Sequence, residues 1–204
     1  MAHGGITDWV IDVIDTIGEV GVGALVLLEN LFPPIPSELI LPLAGFRAHE
    51  GHMNLVLAWL AATIGSLTGA LILYAMGALI GYDRLHELAG RRSFVVLSQS
   101  DLERGQRFFE RHGGRVVLLG RCVPLVRSIV SIPAGLIRMP LPRFIGYTVI
   151  GSGVWNAAFI GAGWVLDDNY DRVQGWVQPV GLAVLLALLA GIGFVATRKV
   201  RGRA

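Results

Sequence analysis

From Leu55 to Gly81 the chain runs 27 residues without a charged side chain. A helix of about 20 apolar residues crosses a hydrocarbon layer about 30 Å thick, so the run predicts a transmembrane helix over 55–81. Within it Gly65, Ser66 and Gly69 leave room for a neighbouring helix to approach one face closely. Of the 204 residues 53% are hydrophobic and 16% charged, with a mean hydropathy of +0.61, whereas a soluble domain carries roughly 25% charged residues. The chain therefore reads as an all-α integral membrane protein of one domain, with no linker or low-complexity segment. A net charge of +2 gives no basis for nucleic-acid binding. The start, MAHGGITDWVIDVID, lacks the cationic head and apolar core of a signal peptide, so the mature chain is expected to begin at or near Met1. The single cysteine, Cys122, cannot form an intrachain disulfide and reads as a small buried residue.

Two further spans are expected at 144–166 and 177–197. The link between them, DDNYDRVQGW, is acidic, the tail RKVRGR is basic, and residues 82–115 carry seven arginines. Loops rich in Lys and Arg stay in the cytoplasm, which puts the 82–115 stretch and the C-terminus inside and the acidic link outside. Over 6–20 the apolar residues Ile6, Trp9, Val10, Val13, Ile14, Ile17 and Val20 recur at helical spacing opposite Asp8, Asp12, Asp15 and Glu19. That pattern predicts an amphipathic helix on the outer membrane surface. A second amphipathic helix is expected over 101–112 on the cytoplasmic side, with Leu102, Phe108 and Phe109 as its apolar contacts. Arg91, Arg92 and Arg107 are expected to face anionic membrane lipids.

The apolar segments 22–46 and 116–139 remain. If either spanned, the arginine-rich loop or the tail would change sides. Pro33, Pro34 and Pro36 interrupt the first, and Pro124 and Pro133 the second. Each removes a backbone donor, and broken backbone at membrane depth survives only against protein or a wet cavity. Both segments are therefore expected to be re-entrant hairpins dipping from opposite sides. The two halves also resemble each other: LVLLEN, PLAGF and IGSLTGALILYAMG parallel VVLLGR, IPAGL and IGSGVWNAAFIGAG. The predicted architecture is an inverted repeat of amphipathic helix, re-entrant hairpin and spanning helix, plus a C-terminal spanning helix. Such interrupted repeats meeting near the midplane build transporters.

Four charges fall inside the hairpins: Glu29, Glu38, Arg121 and Arg127. A charge at the bilayer centre costs at least about 2.5 to 3.5 kcal/mol. Their pairing could serve structure alone, but apolar replacements of buried ion pairs are often as stable, which favours a functional site. Guanidinium groups match phosphate oxygens and keep their charge, so Arg121 and Arg127 are the expected anion ligands, with Ser37 and Ser128 polar beside the charges. Glu29 and Glu38 could exchange protons if desolvation dominates, or stay ionised if the arginines are close; residue types leave both open.

ENLFPPIPSELILPLAGF, GRCVPLVRSIVSIPAGLIRMPLPRF and GSGVWNAAFIGAGW together resemble the DedA family, whose shared region is also called the VTT or SNARE-associated domain. The resemblance covers roughly Leu25 to Gly163, and its most specific part is G-R-x-x-P-x-x-R followed by A-G-x-x-x-M. It implies two facing re-entrant hairpins, essential acids in the first (Glu29, Glu38) and essential arginines in the second (Arg121, Arg127). Asn156, after Trp155, is implied as a further cavity residue, and Glu50 as a weaker acidic candidate. The implied function is return of undecaprenyl phosphate, or a similar polyprenyl phosphate, from the outer to the inner leaflet of a bacterial inner membrane. On that expectation Arg121, Arg127, Ser128 and Asn156 bind the phosphate, Glu29 or Glu38 carries the proton, and homo-oligomerisation stays open. Alternatives are a proton-driven exporter of small ions or drugs, a lipid-phosphate phosphatase, or a structural membrane protein.

No Gly-rich nucleotide loop is present, nor any hydrolase triad. The pair His49 and His52 is expected to be solvated rather than to hold a metal, and His86 and His112 are expected at the surface. No metal or other cofactor is expected.

Overall fold

The structure, a computed structural model, describes residues 6–32, 37–89, 99–123 and 126–166. Among them are eight helices and no strand: α1 (Ile6–Leu31), α2 (Ser37–His49), α3 (Leu55–Ile80), α4 (Tyr82–Ala89), α5 (Gln99–Gly120), α6 (Val126–Ile129), α7 (Ser131–Leu136) and α8 (Leu141–Leu166). Two of these, over Leu55–Ile80 and Leu141–Val165, are long and apolar enough to cross a membrane. The helix expected at 177–197, the prolines Pro33, Pro34, Pro36 and Pro124, the arginines Arg91 and Arg92, and the side chains of Ser37, Glu38 and Leu102 lie outside the described residues.

The amphipathic helix expected over 6–20 falls in the first part of α1. At Gly18, whose φ of 58° and ψ of −137° are not helical and suit a residue without Cβ, one helix gives way across a kink to a second that runs to Leu31. Val10 and Ile14 are buried before the bend; Val22, Leu25 and Val26 are buried after it. α5 joins the amphipathic stretch 101–112 to the apolar segment that begins at 116. Gly114 lies within this helix, and a Cβ there would lie 2.5 Å from the Tyr147 ring. The glycine admits a close neighbour. Phe109 is buried as expected, but Phe108 is exposed and stacks on His112 with ring centroids 5.1 Å apart; adjacent helix positions lie about 100° apart and cannot share one face.

The two proline-rich segments differ in detail. Pro42 lies within α2 without ending it. Pro133 lies in the first turn of α7, where its missing donor has no intrahelical partner to lose. The chain after Pro124 is therefore divided between α6 and α7, next to Val130, rather than at Pro133. Arg138, just past α7, takes φ 52°, and the amide of Met139 donates to the Ala134 carbonyl at 2.9 Å. This closes the helix in the left-handed manner usual for glycine.

At its start α3 is capped by Asn54, whose side chain accepts from the amides of Val56 and Leu57. The Asn54 amide in turn donates to Glu19 at 2.8 Å, which pins the cap to α1 one residue past the bend.

Helix packing follows an exchange. α1 lies on α3 and α5 on α8, but α2 lies on α8 and α7 on α3. Glycines set both exchanged contacts. A Cβ on Gly45 would lie 2.0 Å from the Ile160 carbonyl oxygen, and one on Gly163 2.0 Å from that of Pro42. At the other contact a Cβ on Gly135 would lie 2.0 Å from the Tyr74 oxygen, and one on Gly77 2.2 Å from that of Ile132. In all four cases the opposed carbonyl lies three residues before the partner helix's own glycine. Backbones this close gain dispersion and weak polar contacts that lipid cannot supply. Beside the second contact lies a core of Ala70, Phe109, Val117, Val130, Ala134, Met139 and Phe144, and the Tyr74 hydroxyl donates to the Met139 carbonyl at 2.6 Å. The outward faces of α3 and α8 expose Val56, Leu60, Ile64, Leu79, Ile150, Val154 and Val165, as helices facing lipid do.

Candidate functional site

The last turn of α1 carries Glu29 and Asn30, both buried. Val22, Leu25, Val26 and Glu29 share one helical face, so the face that packs the apolar residues inward carries the carboxylate with them. Across from it, α6 is a single turn that presents Arg127 and Ser128, also buried. The Arg127 guanidinium donates through Nη2 to Glu29 Oε2 as a buried ion pair. One residue further along each chain, Ser128 Oγ donates to Asn30 Oδ1 at 3.1 Å. The Asn30 amide nitrogen donates to the Val26 carbonyl at 3.0 Å. Two consecutive polar pairs thus join the end of α1 to α6.

Arg121 lies at the end of α5 and is only 1% exposed. Its Nη2 donates to Ser131 Oγ at 2.8 Å, and its guanidinium carbon stands 6.0 Å from the centre of the Phe144 ring. Gly151 on α8 makes space for its stem, since a Cβ there would lie 2.8 Å from Arg121 Cβ. Arg121 Nε is buried and has no hydrogen-bond partner. Its hydrogen bond goes to a neutral hydroxyl, while its charge also feels that of the Glu29 carboxylate.

Asn156 is fully buried on α8, but its partners are on α3: Nδ2 lies 3.3 Å from Thr63 Oγ1 and 3.4 Å from Ser66 Oγ. The structure therefore brings Glu29 to Arg127 and Asn30 to Ser128, sets Arg121 on Ser131, and joins Asn156 to the spanning helix α3. Sequence reasoning missed Asn30, Ser131 and Thr63 as site-forming groups. Asn30 stood next to Glu29 in the motif LLEN, which was a usable signal; nothing in the spacing pointed to Ser131 or Thr63.

Other candidates fall elsewhere. Glu50 pairs with Arg47 at 2.9 Å, and Arg47 also holds Asp15 at 2.7 Å, beside the bend of α1. His49 packs edge-on against Trp164, with ring centroids 5.4 Å apart, while His52 lies 3.5 Å from Glu50. Among the described residues no three His, Cys, Asp or Glu side chains gather where they could hold a metal. Cys122 is exposed, contrary to expectation; after Gly120 the chain turns with Arg121 on the inner side and Cys122 on the outer.

A family model, the VTT domain, matches residues 35–165. The chain belongs to the VTT-domain, or DedA, family. Both α3 and α8 fall within the match, as do Arg121, Arg127 and Asn156, while Glu29 lies just before it. An alkaline phosphatase-like protein of Lactococcus lactis subsp. lactis (strain IL1403) is 38% identical over 188 residues, covering 91% of this chain and 87% of that one. Undecaprenyl phosphate transporter A of Staphylococcus aureus (strain NCTC 8325 / PS 47) is 30% identical over 191 residues, covering 93% and 94%. Undecaprenyl phosphate transporter A of Bacillus subtilis (strain 168) is 26% identical over 190 residues, covering 91% of each. No solved structure matches. Family membership and the two apolar helices mark a VTT-domain membrane protein.

Proposed function

We propose that this VTT-domain protein carries a polyprenyl phosphate, such as undecaprenyl phosphate, from the outer to the inner leaflet of a bacterial inner membrane, exchanging a proton at Glu29 as it does so. The observation that carries this reading is the burial of two guanidinium groups, Arg121 and Arg127, between apolar helices. One is ion-paired with a carboxylate and the other hydrogen-bonds a hydroxyl, so two buried cations draw on the carboxylate of Glu29. Buried cations short of counter-charge are costly, and a phosphate monoester supplies further negative charge in a geometry that guanidinium matches. The prenyl chain stays in lipid. The names of two transporter relatives support the choice of lipid.

On this reading α1 after its bend with α2, and α5 with α6 and α7, form two re-entrant hairpins, and the two halves are inverted repeats. The support is the length of α2, 13 residues or about 20 Å, too short to cross about 30 Å of hydrocarbon, together with the matched glycine contacts. Arg121 and Arg127 clamp the phosphate, Ser128 and Asn156 hydrogen-bond around it, and Glu38 is a second proton-carrying acid. Bringing a negative headgroup inward against an inside-negative potential costs about 2.3 kcal/mol per charge per 100 mV. A proton travelling with the phosphate removes one charge from that cost. Protonation of Glu29 also frees Arg127 to hold the phosphate.

The test is reconstitution into vesicles with labelled polyprenyl phosphate in one leaflet. Wild type moves the headgroup, a pH gradient changes the rate, and Arg121→Ala and Arg127→Ala abolish movement. Wild-type movement by both variants overturns the clamp. Because one relative is named for phosphatase likeness, the same vesicles are assayed for inorganic phosphate; its stoichiometric release would make the site hydrolytic instead.

A further inference from the structure

Along α8, Phe144, Thr148, Ser152 and Asn156 stand four residues apart and so lie on one face, and all four are buried. At the Phe144 end of this row sits the Arg121 guanidinium. At the Asn156 end the side-chain amide meets Thr63 and Ser66 on α3. One turn further along α3, a Cβ on Gly69 would lie 2.6 Å from Asn30 Cβ, next to the Glu29–Arg127 pair. Polar groups thus lead from Arg121 to Glu29 through the inside of the helix bundle.

Two of these groups lack protein partners. Thr148 Oγ1 and Asn156 Oδ1 are buried with no hydrogen bond. The threonine differs from Thr63 and Thr68, whose hydroxyls donate to the carbonyls of Trp59 and Ile64 one turn back, each at 2.8 Å. Thr148 has the same option and does not take it. A buried hydroxyl left unpaired loses hydrogen-bonding energy, unless water or a ligand meets it. Buried water commonly fills this role where several polar groups converge. The row covers about 12 Å of helix axis from Thr148 to Asn156.

We propose that Thr148, Ser152 and Asn156, with Thr63 and Ser66, hold a file of bound water through which protons reach Glu29. A proton enters as hydronium, passes along the file by exchange between waters and hydroxyls, and ends on the Glu29 carboxylate; the last water is left neutral and the Arg127 ion pair is broken. The file gives the proposed transport cycle its proton route and rests on that reading only for what the proton does on arrival.

The test has two arms, both in full-length protein carrying Cys122→Ser. In the first, Thr148→Cys, Ser152→Cys and, as an apolar buried control, Val22→Cys are reacted in vesicles with a small cationic methanethiosulfonate. The expected result is labelling at 148 and 152 at least tenfold faster than at 22. Equal rates overturn the file whatever the protein transports. In the second, Thr148→Val, which keeps the side-chain shape, and Ser152→Ala are assayed for polyprenyl phosphate binding and for pH-gradient-dependent movement. Binding within twofold of wild type with movement slowed at least tenfold is expected. Rapid labelling combined with undiminished gradient dependence in Thr148→Val overturns the proton route. A wild type that labels rapidly but moves no lipid sinks the transport reading and leaves the water file standing.

Discussion

Arg127 and Glu29 are 98 residues apart in the chain and form one buried ion pair. Neither charge can be removed alone without stranding the other, and such half-removals typically cost about 3 to 5 kcal/mol. Glu29→Leu and Arg127→Met are each expected to lower the melting temperature in detergent markedly. The double variant, which strands no charge, is expected to melt close to wild type yet move no phosphate headgroup. A double variant as unstable as the singles would show that the pair stabilises the fold by more than mutual neutralisation.

The exchanged glycine contacts predict a steep and local sensitivity. Gly135→Ala and Gly45→Ala put a carbon about 2.0 Å from a backbone oxygen, which the helices can relieve only by moving apart. Overpacking of this kind costs about 1 to 3 kcal/mol or more. Gly161→Ala and Gly146→Ala meet nothing within 4 Å and should melt with wild type. Thermal melts of the four purified variants check the contrast, and equal loss in all four would contradict it.

At the bend of α1 a different physics applies. Gly18 meets no neighbour within 4 Å but has positive φ, so Gly18→Ala is strained by its backbone alone, by about 1 to 3 kcal/mol. The strain should also loosen the Asp15 and Arg47 pairing beside it. Faster amide exchange over α1 residues 12–20 in Gly18→Ala, with α8 unchanged, is the expected signature.

Glu19 accepts the Asn54 amide at the mouth of α3, and this hydrogen bond holds its carboxyl below the ordinary value of 4.5. A depressed folded-state value means the contribution is fully present above the unfolded value and is lost as pH falls through the folded one. The Asn54, Val56 and Leu57 amides should therefore exchange faster, beyond the intrinsic pH trend, only as pH drops below about 4.5. Glu19→Gln should remove that acid limb. An unchanged acid limb in Glu19→Gln would assign it to another group.

Charge-free length made α3 and α8 legible, because hydrocarbon thickness sets a requirement that few sequences meet by accident. Glu29, Arg121 and Arg127, which the structure buries, stood out in the sequence as costly charges for the same reason. Which acid meets which arginine was not, because the pairing depends on how helices cross rather than on spacing within any one of them. The continuity of α5 was missed. In α1, Gly18 interrupts the helix at a kink, and in α5, Gly114 admits the Tyr147 ring; a glycine reads alike in sequence whether it breaks a helix or admits a neighbour. Asn30 escaped notice because a neutral amide carries no insertion penalty comparable to that of Glu29 beside it.

The crossed arrangement, with α2 resting on α8 and α7 on α3, bears on how the molecule is made. When the ribosome has released only the first 90 residues, the Gly45 surface of α2 has no α8 to close against, and α3 still lacks α7. Each half inserts incomplete and waits for the other. Assembly is thus postponed until α7 and α8 have been made, and a chain cut before them would display unfinished helix surfaces to the proteases that survey membranes.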